Sequence, residues 1–197
     1  MSTIYIFAMS DNFKFVRVFQ NNDHLWSLRY DEKDADELTL LFRQWSDVNF
    51  LLDFFEKNIG DLRSVYHVEK ISEAIVDTMK DADILERTLL SMKSIKYLDQ
   101  FFHPFGLLDD RIRELSREKA KNWNRIGHAS WLRVYAIRLE PNVFVITGGA
   151  IKLTVKMQDR DHTIEELRKL NRCRVFMQNN GVFDKDSFVS YIEEEDL

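Results

Sequence analysis

Hydrophobic and polar positions alternate along the first part of the chain. In Phe13–Phe19 (FKFVRVF), Phe13, Phe15, Arg17 and Phe19 fall on one side, and Lys14, Val16 and Val18 on the other. His24–Tyr30 (HLWSLRY) alternates again, with Trp26, Leu28 and Tyr30 together. Thr3–Met9 (TIYIFAM) is rich in β-branched and aromatic residues, and Asn21-Asn22-Asp23 is a turn signal. A period of two with such residues predicts strands, here an antiparallel group. The period then becomes helical. Leu38, Leu41, Phe42, Trp45, Val48, Leu52 and Phe55 predict a helix opened by Asp34 or Asp36 and running to about Lys57, with Ser46-Asp47 as a possible second cap and Asn58-Ile59-Gly60 as its end. Val68, Ile71, Ile75, Met79, Ala82, Leu85, Leu89 and Met92 mark a second helical region, with a possible break at Lys80-Asp81. Together these regions predict a helical hairpin.

The second half returns to strands. Asp99–Leu108 (DQFFHPFGLL) reads as a packed connection after a short helix, with His103 a local hydrogen-bonding residue. Arg111–Trp123 reads as a short charged helix and Asn124–Ser130 as a turn. Trp131–Leu139 (WLRVYAIRL) is a strand and Glu140-Pro141-Asn142 a turn. Val143–Thr147 is the next strand, and 150–155 continues it past Gly148-Gly149. A tandem glycine in a strand predicts a bulge or bend; the alternative, a phosphate loop, lacks the P-loop spacing and its Lys-Ser/Thr pair. Thr163 and Glu166 have capping-box spacing, opening a helix with Ile164, Leu167, Leu170 and Cys173 on one side and Gly181 as its stop. A last helix spans about 184–194 around Phe188, Val189 and Ile192. The expected fold is α+β: an antiparallel sheet built from N-terminal and C-terminal strands, a large helical hairpin insertion over 34–95, and C-terminal helices. Residues 1–197 form one domain, in which 128–180 is a basic strand–strand–helix module.

Composition narrows the class. Of 197 residues, 45% are hydrophobic and 31% charged, which suits a globular core. No run of about 18 apolar residues occurs, and the first residues lack the pattern of a signal peptide. With one cysteine, Cys173, a cytoplasmic protein without internal disulfides is expected. Five scattered histidines and one cysteine give no metal-ligand spacing, so neither metal nor cofactor is expected. Charge is uneven under the overall −5. Residues 1–110 carry a net of −8, residues 111–180 carry 15 basic against 7 acidic side chains for a net of +8, and residues 181–197 carry −5. The basic segment is either a set of solvated faces drawn to acidic parts of the same chain or a phosphate-binding surface.

Alternation puts Arg133 with Trp131, Tyr135 and Ile137, and Arg138 on the opposite face with Leu132, Val134 and Ala136. Lys152, Lys156, Arg160 and His162 follow toward the capped helix. Metal-free cleavage of RNA needs a group to take the 2′-hydroxyl proton, cations around the phosphorane, and a proton donor for the leaving oxygen. His162 is a candidate acid or base, because an unperturbed imidazole ionises near neutrality. Arg133, Lys152, Lys156 and Arg160 supply charge, and Tyr135 is a further donor or a core residue. Such a site requires these groups to converge on one concavity.

The run WLRVYAIRLEPNVFVITGGAIKLTVKMQDRDHTIEELRKLNR resembles the C-terminal half of RelE/HigB-type toxins, and HLWSLRY resembles a strand of the HigB-like branch. That family consists of small ribosome-dependent endoribonucleases neutralised by an antitoxin protein. The resemblance implies a bacterial protein acting on RNA or the ribosome, with an antitoxin-like partner. It places Arg29, Arg133 and Lys152 on basic motif positions. Catalytic candidates are therefore Arg133, Lys152 and His162, and substrate-binding candidates are Arg29, Lys156 and Arg160. The chain departs from the pattern in its length, its acidity, its helical region and Lys152-Leu153 where a Lys-Lys pair is typical. The competing reading is a non-enzymatic protein-interaction module that kept the fold without the site.

Overall fold

The computed structural model describes residues 13–19, 22–92, 98–104, 115–122 and 129–195. The expected strand at Thr3–Met9 lies outside them. Two strands, β1 (Phe13–Phe19) and β2 (Asn22–Tyr30), are followed by α1 (Glu37–Ser46), α2 (Val48–Lys57), α3 (Ile59–Tyr66) and α4 (Ile71–Ser91). Then come α5 (Leu98–Phe101), β3 (His103–Pro104), β4 (Ser116–Ala120), β5 (Leu132–Glu140) and β6 (Val143–Ile151). A 3-10 turn at Met157–Asp159 leads to α6 (Asp161–Asn179) and α7 (Lys185–Glu195). No helix among the described residues is long and apolar enough to cross a membrane.

The six strands form one sheet in the order β1-β2-β6-β5-β4-β3. The fold is α+β as expected, but the sheet is mixed: β2 and β6 run parallel, with Trp26 opposite Val145. Hairpin neighbours must be antiparallel, whereas strands joined through a long crossover are free to run parallel. Here more than a hundred residues, including α1–α4, intervene between them.

Side-chain alternation splits the core between the two faces of the sheet. Leu25, Leu132, Val134, Ala136, Phe144 and Ile146 pack with α1, α2, α3 and α4. Trp26, Leu28, Tyr135, Ile137, Val143 and Val145 pack with α6 and α7. Strand β6 lies between both layers and is buried along its whole length. The helical region is part of this packing, since Leu51, Phe55 and Leu62 are fully buried in the same cluster as Val134 and Phe144.

Several local expectations meet the structure well. Asp36 caps α1 by accepting from the Leu38 and Thr39 amides, and Asp47 separates α1 from α2 by capping the second. Others are corrected. Helix α2 ends at Lys57 with Asn58 as its C-cap, as expected, but another helix, α3, starts directly at Ile59. Helix α4 runs unbroken through Lys80-Asp81, and the buried Asp81 carboxylate accepts from Asn122 Nδ2 at 2.8 Å. The charged segment after 111 contains strand β4, with Ser116, Glu118 and Ala120 buried and Arg117 and Lys119 between them. Pairing with β5 overrides the helix propensity of SREKA. The capping box is absent: Thr163 lies inside α6 and donates to Met157 O and Arg160 O.

Candidate anion-binding site

Strand β5 sends Tyr135 to the α6 side of the sheet, while the Arg133 guanidinium, at the end of the strand, is hydrogen-bonded to Tyr66 of α3 and subject to Asp81 of α4. Antiparallel pairing sets Lys119 of β4 opposite Tyr135 and Ala120 opposite Val134. One step further, Lys121 falls level with Arg133. On the other flank, Leu132 pairs with Ile151, and the Lys152 amide donates to Trp131 O at 2.7 Å. Four cations from three consecutive strands thus gather at one end of the sheet.

Carboxylates bear on three of them, Glu118 on Lys119, Asp159 on Lys152 and Asp81 on Arg133, while the hydrogen bonds of Arg133 Nη1 and Lys152 Nζ go to uncharged groups. Arg133 Nη1 donates to the carbonyls of Ser130 at 2.5 Å and Leu132 at 2.7 Å. Lys152 Nζ donates to Val155 O at 2.6 Å. These acceptors are neutral. Burial holds Lys119, Lys121 and Lys152 below the usual lysine range, and the Arg133 charge pushes each further down. Lys119 bears on both Lys121 and Lys152 in the same direction. Arg133 is itself lowered by burial, opposed by Tyr66, Tyr135 and Asp81. Crowded, partly desolvated cations of this kind are stabilised by an incoming anion. Tyr66 of α3 closes one side: its hydroxyl donates to Lys152 O at 3.1 Å, and its ring meets Trp131 edge-on.

Among the residues expected from sequence, Arg133 and Lys152 are brought together. Arg29 is exposed on β2, on the α1 side of the sheet, and β6 separates its strand from β5. Arg160 is clasped by Asp61 of α3 through two bonds, Nε–Oδ2 at 2.7 Å and Nη2–Oδ1 at 2.5 Å. His162 lies next to the end of β6, with Nε2 2.9 Å from Ile151 O and the ring edge-on to Phe54 of α2. Because a carbonyl only accepts, Nε2 carries the proton. Lys156 is exposed, and its backbone amide donates to Asp159. Arg138 is bound by Asp99 at 3.1 Å. Lys119 and Lys121 escaped the sequence reading because their segment reads as a helix. Strand alternation in SREKAK would have put Arg117, Lys119 and Lys121 on one face.

A second charged cluster lies beneath α6. Lys169 Nζ bonds Glu37 Oε2 at 2.5 Å and Glu166 Oε1 at 2.7 Å. All three side chains are about nine-tenths buried. Glu166 Oε2 lies against Gly148, where φ is +151°, and a Cβ on that residue would collide with it. This oxygen has no partner in hydrogen-bond geometry among the described residues, although the Gly149 amide dipole favours its charge. Burial pushes the Glu166 carboxyl up to about 7 against the pull of Lys169. A cleft of about 180 Å³, lined by Tyr30, Glu32, Lys33 and Gln44 among others, opens over the cluster. The tandem glycine therefore makes a bulge, with Thr147 the extra residue opposite the Tyr135–Ala136 step, and admits a carboxylate.

No group of three metal-capable side chains gathers among the described residues. No protein-family profile, curated protein or solved structure matches the chain.

Proposed function

We propose that this protein binds the phosphate backbone of RNA through Arg133, Lys119, Lys121 and Lys152. The observation that carries the reading is the convergence of these four cations at the ends of β4, β5 and β6, with Arg133 Nη1 and Lys152 Nζ donating to neutral carbonyls and Arg133 also bonded to the Tyr66 phenol. Clustered cations bind polyanions by releasing condensed counterions. The RelE/HigB resemblance makes RNA the polyanion, and two of its three matched basic residues, Arg133 and Lys152, belong to this group. An acidic segment of an antitoxin-like partner would compete for the same cations. The proposal stops at binding, because His162 spends Nε2 on Ile151 O and its ring on Phe54.

The test is titration of a labelled single-stranded oligoribonucleotide at low salt. Lys119→Ala combined with Lys121→Ala should weaken binding at least about tenfold, the size expected when two phosphate contacts are lost. Lys156→Ala and Arg29→Ala should leave it within about twofold. Equal binding by the wild type and the double variant would sink the proposal.

A further inference from the structure

The two charged clusters share one row of the sheet. Lys119 of β4 pairs with Tyr135 of β5, and Tyr135 pairs with Gly148 of β6, on which the Glu166 carboxylate rests. Strands are spaced about 4.8 Å apart, so the backbone of Gly148, on which Glu166 rests, is about 10 Å from that of Lys119 across β5. Tyr135, fully buried, lies between them and is subject to both: Arg133 acts on its phenol from one side and Glu166 from the other.

We propose that Glu166 is a proton-linked control on the cationic site, such that RNA binds more tightly when the Glu166 carboxyl is protonated. The inference rests on the binding reading above and adds its regulation. Its basis is the position of a buried carboxyl with one unpartnered oxygen in the same row as the cations.

The charge balance around Glu166 explains why this group takes up the proton. From α1, Glu37 faces it with a second negative charge; from its own helix, Lys169 supplies one positive charge shared between the two carboxylates. From β2, Tyr30 senses Glu37, Glu166, Arg172 and Cys173. From β5 comes Tyr135, and from β6 the Gly149 amide. Burial pushes Tyr30, Tyr135 and Cys173 up, which keeps all three neutral near pH 7. With both glutamates ionised, the buried trio carries one excess negative charge. Protonation of Glu166 removes it. An anion arriving at Arg133 then meets one fewer like charge across β5, and by linkage its binding draws a proton onto Glu166.

The experiment measures binding of an oligouridylate to the full chain between about pH 6 and about pH 8, a window in which phosphodiesters keep constant charge and Glu166 titrates. Wild-type affinity should fall about fivefold as pH rises, the size expected for one charge at roughly 10 Å in a partly screened interior. Glu166→Gln should bind at every pH as the wild type does at the acid end. Calorimetry at pH 7 in two buffers of different ionisation enthalpy provides an independent reading: proton uptake on binding by the wild type, and none by the variant. A carboxyl-carbon titration of Glu166 in the wild type, with and without the oligonucleotide, needs no substitution and should move upward on binding. A pH-independent wild type, an unchanged slope in Glu166→Gln, or a Glu166 titration that ignores the ligand would each overturn this inference and leave the binding site standing. No binding at any pH would overturn the reading beneath it.

Discussion

At the scale of single residues, the sequence names chemistry but not neighbours. Arg133 and Lys152 were identifiable as basic residues in a hydrophobic setting, and both reach the candidate site. Glu166 had the spacing of a helix cap and instead became a buried carboxyl, because α6 begins three residues earlier, at Asp161, and presents it to Gly148. This carries a stability consequence with a definite sign. A carboxyl raised from its usual value to about 7 is protonated preferentially in the fold. Its contribution is fully present below about pH 4.5 and is lost as pH rises through about 7. The loss is on the order of 3 kcal/mol. His24, held below the usual histidine value by burial and by Lys185, acts in the opposite direction, gaining as pH rises. Urea unfolding at pH 5 and pH 8 should therefore show a smaller acid-to-neutral loss in Glu166→Gln than in the wild type. Parallel curves would refute it.

At the scale of elements, periodicity worked where one face is buried and failed where charge hides it. Helices α1 and α2 follow from their apolar spacing, and their junction follows from Asp47, whose carboxylate takes the Asn49 and Phe50 amides at 2.9 and 3.2 Å. Asp47→Ala should cost about 1 kcal/mol in chemical denaturation; no change would mean that packing alone sets the break. Strand β4 shows the converse. Its buried Glu118 and exposed-looking Lys119 defeat a hydrophobic pattern, and only the five-residue pairing with β5 makes it a strand. The two cations missing from the sequence reading, Lys119 and Lys121, were lost with that element.

At the scale of the molecule, a chain of net charge −5 presents a local group of four cations. Binding governed by that group should depend on salt with a slope near −3 in log affinity against log salt, about −0.7 for each of four single-strand phosphate contacts. A slope near zero would argue for recognition by other means. Within the acidic half, Asp61 pairs with Arg160, Phe54 meets His162 and Asp81 bears on Arg133, whose Nη1, like Lys152 Nζ, donates to neutral carbonyls. By itself the sequence determined the α+β class, the main helices, the bulge at the tandem glycine and the basic character of the C-terminal module. These depend on local periodicity and backbone freedom. Only the tertiary structure decided that β2 and β6 run parallel, that β4 is a strand, and which charges meet. Strand partnership between segments a hundred residues apart leaves no local trace, and a charge acquires its role from what is packed across from it.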